Sequence, residues 1–421
     1  MVSARSHPAQ QTALHLSAEK AVTLQTLLEC VDLTLLAAMT SAAAREEIFT
    51  LTGEIFKVSA SSLPATLQAS MSQEICDELL GLGPLEPLLA RDDVTDIMVN
   101  GLDHCFIEAG GVLQVVASRF TSLEHLSNIC QRAAAKAGRR VDESSPICDA
   151  RLADGSRINI IWPPLALDGP ILTIRKFRQQ PLTLANLTAF RTLSPLVRRL
   201  LELAVQSRCN ILITGGSGSG KTTLLNALAG CIGEGERVVT CEDAAELRLQ
   251  HAHTVRLESR PANFEGHGEI GMTALIRNAL RMRPDRIVVG EVRGAEALDL
   301  LHAMNTGHDG SMGTLHANSP AQALSRLEAL AMMGAARIPA RTVRQLITGG
   351  VDLIIHVGRM ADGARKLMQI SEVDELGASL ADIFRLGESQ LCATPRLLRR
   401  AELYGLLDPL QTLLEDAPCN G

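Results

Sequence analysis

The segment Gly215-Gly216-Ser217-Gly218-Ser219-Gly220-Lys221-Thr222 reads G-x-x-x-x-G-K-T, and Thr223 follows it. Each residue type in it suits phosphate chemistry. Glycines let the backbone curl until successive N–H groups point at phosphate oxygens. The positive end of a following helix strengthens that field. Lys221 reaches the β- and γ-phosphates as a point charge, and the Thr222 hydroxyl is a ligand for Mg2+. The run Cys209–Thr214 before the loop reads as a strand and Lys221–Ala229 after it as a helix. That context separates a phosphate-binding loop from a chance glycine-rich turn. ATP and Mg2+ are the ligands expected.

Hydrolysis also needs acids for metal and water. Glu242-Asp243 closes the apolar run Val238-Val239-Thr240-Cys241, Glu246 follows, and Glu291 closes Ile287-Val288-Val289-Gly290. In open α/β sheets the ligand lies beyond the carboxyl ends of the strands. Acids at two such ends, downstream of a phosphate loop, are candidates for Mg2+ and the attacking water. His308 and His316 fall in a stretch rich in Gly, Ser and Thr, from Thr306 to Ser319. No Cys stands near enough to complete a zinc set. A loop of this kind is expected to sense the γ-phosphate, an imidazole N–H donating to its oxygen.

These residues need a scaffold. Residues 1 to about 15 read as disordered, and a helical pattern runs from Leu16 to about Leu89. From Val94 the period shortens. Gly110-Gly111 and Asp154-Gly155 lie between apolar runs and mark hairpins. Thr121 with Glu124 reads as a capping box, opening a helix that places Leu126, Ile129 and Ala133 on one face. Strands and a helix intermixed predict a small α+β domain. Gln179–Ala189 reads as a linker, carrying Pro181 and polar residues. Beyond it, Ile211–Ile213, Val238-Val239, Ile287–Val289 and Leu353–Ile355 are short and nearly all apolar, which predicts a mostly parallel sheet covered by helices on both faces.

Composition closes several alternatives. Of 421 residues, 46% are hydrophobic and 21% charged, which supports a sizeable core. Aromatics are 2%, too few for a single-strand nucleic-acid groove built on stacking. Forty Lys and Arg against 47 Asp and Glu give a formal charge of −7. A dedicated nucleic-acid binder carries a basic excess, so no stable nucleic-acid partner is expected. Ten Cys occur without a C-x-x-C pair, and neither a secretory signal nor a membrane span is read from the sequence. A cytoplasmic protein with reduced thiols is expected.

At this level of detail the chain resembles the secretion ATPases of type II and type IV systems, and within them the CpaF/TadA branch, the Flp/Tad pilus assembly ATPases. The resemblance runs from about Asp77 to Phe384. It rests on Val141–Pro146, Cys148–Leu152 with Asp154–Arg157, Pro163–Pro170, Thr173–Phe177, the phosphate loop, an Asp box at Glu242–Leu247, Asn278–Arg286, a Walker B segment at Gly290–Gly294 and a His box ending His316–Pro320. It implies an α/β protein: a helical N-terminal extension over 1–76, an α+β domain over 77–178, a linker over 179–190, a RecA-like ATPase domain over 191–375 and a tail over 376–421. It also implies a hexamer with ATP between the two domains, acting on inner-membrane platform proteins from the cytoplasmic side. Family roles fall on Glu291 as the Walker B acid, with Mg2+ held through water. Glu242 is the Asp-box acid, His316 the His-box imidazole, and Arg157 and Arg175 are arginines brought to the terminal phosphates. Met312-Gly313 departs from a Leu-Thr pair common in the branch, which is expected to loosen that loop. Another P-loop enzyme or a nucleic-acid motor fits less well. A transporter ATPase subunit lacks its L-S-G-G-Q signature here, and a kinase would need a second substrate. A DNA-translocating relative is disfavoured by the charge.

Overall fold

The computed structural model describes residues 8–59, 61–117, 120–177, 182–260, 267–334, 338–374, 380–388, 391–392 and 394–415. The chain divides into two compact units, Met1–Arg178 and Gln179–Gly421.

The first unit opens with four helices, α1 (Pro8–Cys30), α2 (Leu33–Ala38), α3 (Ser41–Val58) and α4 (Ala65–Leu80). Leu27, Ile48, Phe56 and Ile75 close their own small core. The first helix already begins at Pro8, inside the stretch whose composition suggested disorder. A short α5 (Glu86–Leu89) leads into β1 (Val94–Asn100), β2 (His104–Ala109), β3 (Val112–Val116), α6 (Leu123–Lys136), β4 (Ile147–Arg151), β5 (Arg157–Ile161) and β6 (Ile171–Arg175). The strands form one antiparallel sheet in the order β3-β2-β1-β6-β5-β4. Alternation decides its faces. Ile158, Ile160, Leu172 and Ile174 turn inward against Leu126, Ile129 and Ala133 of α6. The alternate residues, Arg157 and Arg175 included, take the other face. The helix is capped one residue later than the sequence suggested: Ser122, not Thr121, accepts from the His125 N–H at 3.0 Å.

The second unit contains α7 (Leu184–Ala189), α8 (Pro195–Gln206), β7 (Ile211–Gly215), α9 (Lys221–Ala229), β8 (Val238–Glu242), β9 (Thr254–Glu258), α10 (Met272–Ala279), β10 (Arg286–Val292), α11 (Glu296–Asn305), β11 (Met312–His316), α12 (Pro320–Gly334), α13 (Ala340–Gly350), β12 (Leu353–Arg359), β13 (Arg365–Val373), β14 (Leu380–Arg385), α14 (Pro395–Leu403) and α15 (Leu407–Glu415). The sheet order is β14-β13-β12-β7-β11-β10-β8-β9. From β12 to β9 every pairing is parallel, while β13 and β14 are antiparallel additions. Successive residues of one strand feed opposite cores. Ile211, Ile213 and Ile355 join Leu200, Leu224 and Leu228 on one face. Leu212 and Ile354 join Ile276, Leu300 and Leu327 on the other. Each such side chain contributes about 1.5–3 kcal/mol by leaving water, so strands of this composition are stable only when covered on both faces.

Three sequence expectations change here. The segment read as a linker contains α7, opened by a box in which Thr183 and Asn186 each bond the other's backbone N–H. Its Leu184 and Leu187 are buried in the core of the second unit. The segment read as a tail supplies β14, α14 and α15, and Ile383, Leu397 and Leu410 enter the same core. Met312-Gly313 does not loosen a loop; it is buried strand, in register with Ile211 and Leu212.

The amino-terminal rim of this sheet is pinned by Asn210. Its side chain is fully buried, accepts from the N–H groups of Gly310 (2.8 Å) and Ser311 (3.0 Å), and donates to the carbonyls of Met304 (3.2 Å) and Gly350 (2.7 Å). Asn210→Ala leaves those four groups without partners. The expected cost is about 2–4 kcal/mol, read as a lower urea midpoint at unchanged slope. A midpoint equal to wild type would show that the amide is not what holds this rim.

Candidate active site

The phosphate loop follows β7, whose backbone is buried between β11 and β12. Gly215 leaves no choice of residue, since a Cβ there would lie 2.4 Å from the Val357 carbonyl oxygen. Gly218 and Gly220 take φ of 66° and 97°, the left-handed region that turns the loop back toward α9. Ser219 Oγ donates to Gly216 O at 2.9 Å and ties the loop across. Lys221 Nζ donates to the carbonyls of Gly215 (3.1 Å) and Gly216 (2.8 Å), so the ammonium sits over the loop. Thr222 and Thr223 are half-buried in the first turn of α9.

The other expected residues of this unit gather at the same carboxyl rim. His316 ends β11 and is the parallel partner of Gly215. Glu242 ends β8, while Gly290 and Glu291 stand near the end of β10, the strand beside β8. Thr314 Oγ1 donates to Gly290 O at 2.7 Å, and Thr214 Oγ1 to Ala317 O at 3.2 Å, locking the intervening strands. His308 is not part of this group. It precedes β11, and its neighbours Gly310 and Ser311 bond Asn210 at the opposite rim. The strand between the two histidines separates them, so only His316 remains at the phosphate end.

Glu242 is the most perturbed acid of the site. Its side chain is 2% exposed. Oε2 accepts from the N–H groups of Glu246 (2.6 Å) and Leu247 (2.8 Å), whereas Oε1 is buried without a partner among the described residues. Gly290 makes room for it: a Cβ there would approach Glu242 Cγ to 3.0 Å. Burial pushes the carboxyl up to about 7, against the two backbone bonds and the Arg256 charge, which pull it down. Glu291 is in a different setting. Its Oε2 accepts from Arg293 Nη2 at 2.6 Å, and Arg293 Nη1 lies 3.8 Å from Asp243 Oδ2. The sequence reading missed Arg293. The turn that presents it is held by Glu296, which accepts from the Arg293 and Gly294 N–H groups at 2.6 and 2.8 Å.

Among the described residues no three His, Cys, Asp or Glu converge on a metal position. Mg2+ binds through a hydroxyl, one or two carboxylates, water and substrate phosphates rather than in an all-protein cage. Thr222, Glu242 and Glu291 are groups of that kind at this rim.

Arg157 and Arg175 are direct cross-strand partners in the first unit, and Arg151 pairs with Arg157 on the other side. Paired residues share a face, so three arginines form a row across β4, β5 and β6. Arg157 Nη2 lies 3.8 Å from Asp149 Oδ2. The Asp154-Gly155 turn was the signal that could have placed Arg151 opposite Arg157.

Comparison with known proteins gives the family and the fold. The family described as type II/IV secretion system protein matches residues 78–414. A protein of Mycobacterium tuberculosis H37Rv named for conjugal transfer is 42% identical over 300 residues, covering 70% of this chain and 85% of that one. Type IV secretion system protein PtlH of Bordetella pertussis is 36% identical over 312 residues, covering 68% of this chain and 91% of its own. In fold, the chain is similar to the Legionella pneumophila ATPase DotB, with a TM-score of 0.50 and 20% identity over 79% of this chain and 87% of that one.

The burial of Glu242 has a measurable consequence. Its carboxyl titrates near 4.5 when exposed and near 7 when folded. Between those values the unfolded chain ionises first, so wild type loses stability as pH rises, on the order of 3 kcal/mol in all. Glu242→Gln cannot lose it. The stability of Glu242→Gln relative to wild type should therefore increase from pH 4.5 to pH 8 in urea denaturation; a pH-independent difference would show an ordinary, solvated carboxylate.

Proposed function

Since the chain belongs to the type II/IV secretion system protein family, we propose that it is a Mg2+-dependent ATP hydrolase acting as a hexameric motor of Flp/Tad-type pilus assembly, the CpaF/TadA branch. The observation that carries the enzymatic part is a phosphate loop sharing its rim with a buried carboxylate, one of whose oxygens has no partner among the described residues. The loop N–H groups and Lys221 bind the β- and γ-phosphates. Thr222 and Glu291, the latter through water, would hold Mg2+, and the ion would supply charge neutralisation on those phosphates. Glu242 accepts a proton from the attacking water through Oε1, a role for which a carboxyl near 7 is well matched. His316, beside Gly215, donates to the γ-phosphate.

Arg157 and Arg175 complete this reading from the first unit. Guanidinium charge at the terminal phosphate stabilises the charge that develops in the transition state. Their place on a separate unit supports a cycle in which ATP draws the units together and loss of the γ-phosphate releases them. That motion would be passed to inner-membrane platform proteins by peripheral docking. No helix among the described residues is long and apolar enough to cross a membrane. The name of the B. pertussis relative, a type IV secretion system protein, favours a second reading, export through a type IV secretion channel. Loss of surface pili against loss of an exported substrate in a deletion strain separates the two.

Lys221→Ala should remove ATP turnover while the chain stays folded; normal turnover in a folded variant would overturn the site. Glu242→Gln should still bind nucleotide and hydrolyse it ~10²-fold more slowly, the scale of general-base loss. If instead Glu291→Gln traps ATP and Glu242→Gln turns over normally, the two acids have exchanged roles. Arg157→Ala and Arg175→Ala should bind ATP nearly as wild type and turn over slowly. A fragment beginning at Leu182, which keeps α7 in its core, should share that defect. Full turnover by the fragment would remove the first unit from the mechanism.

A further inference from the structure

The sheet of the first unit ends in the edge strands β3 and β4, and that of the second in β14 and β9. An edge strand offers its backbone N–H and C=O groups to any chain that can pair with them, and charged side chains are a common guard against this. Three of the four edges carry such a guard. β4 has Asp149 and Arg151, β9 has Arg256 and Glu258, and β14 has Asp382 and Arg385. β3 reads Val-Leu-Gln-Val-Val, with no charge, proline or glycine. Val112, Leu113 and Val115 are 52, 59 and 77% exposed. Leu113 and Val115 lie on one face of the sheet and Val112 on the other. Isolated apolar residues at a surface are ordinary. An uncharged edge that is apolar on both faces is the form of a pairing site.

The hairpin fixes which groups of β3 are unspent. Gly110-Gly111 joins β2 to β3, with Ala109 and Val112 as the flanking pair. Across a two-residue turn the flanking residues exchange both backbone bonds, and bonded pairs then recur at every second residue. Ile107 with Gln114 and Cys105 with Val116 are therefore bonded pairs as well. Leu113 and Val115 point their N–H and C=O groups away from β2, toward the open edge.

A second β3, laid antiparallel and centred on Gln114, meets both residues at once. Leu113 then faces Val115 of the second copy and Val115 faces Leu113, so four backbone bonds close between the chains. Gln114 faces Gln114, and Val112 faces Val116. Every pair across the seam is apolar on apolar or amide on amide, and no charge is buried. A centre on Leu113 or on Val115 would set the other of the two against a residue outside β3. Glu108, paired with Leu113, stands one strand further in. The two copies of Glu108 would be at least three strand spacings apart, about 14 Å, beyond the screening length at physiological salt.

We propose that β3 is a two-fold self-association edge, on which two copies of this chain pair β3 against β3 and join their sheets into one. The inference does not depend on the ATPase reading above. A contact of this kind is isologous and closes on itself. It cannot by itself build a ring of six; it couples two chains, or two rings.

Two measurements on the full-length chain test it. The first is mass by sedimentation equilibrium for wild type and Val115→Lys. Lys guards an edge against pairing, and at a residue so exposed it leaves the core intact. Wild type should have twice the mass of Val115→Lys, whatever the size of any ring, at the same urea midpoint. The second is oxidative cross-linking in a chain whose Cys30, Cys392 and Cys419 are changed to Ser, the first two being exposed thiols. Gln114 faces itself in a non-bonded pair, where Cα atoms are about 4.5 Å apart, within disulfide reach. Gln114→Cys should therefore form a covalent dimer. Val112→Cys should not, because the two copies of that residue are four positions out of line, roughly 14 Å apart. Equal masses for wild type and Val115→Lys would give the edge to a partner of another kind and overturn the self-pairing. Cross-linking at Val112→Cys as fast as at Gln114→Cys would overturn it too.

Discussion

Two-sided burial of a parallel sheet is the constraint on which the rest of this protein depends. Strands β12, β7, β11, β10 and β8 alternate their side chains between two helix-covered cores, where an unpartnered polar side chain is costly. Chemistry is confined to the rims. At the carboxyl rim the chain places a phosphate loop, a histidine and two glutamates from four strands. Because the strands are parallel, these residues arrive together whatever their separation in sequence. The fold thereby turns four short local signals into one site.

The opposite rim does structural work of a different kind. Asp352 accepts the Asn210 backbone N–H at 2.7 Å and pairs with Arg396 and Arg400 of α14. Arg396 also donates to the last carbonyls of α13, and Glu372 accepts from the first N–H groups of α14. Helix ends carry unpaired backbone groups that must find partners when buried. Here the end of one helix and the start of another are satisfied by one buried ionic cluster, which fastens the C-terminal segment to the sheet. A charge pair so enclosed is a specific lock rather than a large source of stability.

The residues of the phosphate loop and the acids were legible in the sequence because each closes a short apolar run, and a run ending in Gly or Glu marks a strand end locally. What escaped was either non-local or differently encoded. Helix α7 uses Asn186 in place of the Glu or Gln of the usual box, and Pro181 beside it read as a break. Ile383, Leu397 and Leu410 are too sparse to reveal a periodic face, yet each fills the core. His308 and His316 looked like one loop because glycine-rich sequence hid β11, whose four buried residues Met312–Leu315 lead up to His316. Arg151, Arg157 and Arg175 become neighbours only through strand register, and Arg359 and Arg365 reach the phosphate loop across more than a hundred residues of chain. Register and long-range antiparallel additions leave no mark within a short window.

The central claim is that a buried carboxylate at this rim activates water against a nucleotide. The most direct measurement is the single-turnover rate of hydrolysis of prebound ATP, followed from pH 5.5 to 9 at saturating Mg2+. With Glu242 as the base and its carboxyl near 7, the rate should fall about tenfold for each pH unit below about 7 and level off above it. A rate independent of pH across this range, in a protein that remains folded and loaded, would contradict the account.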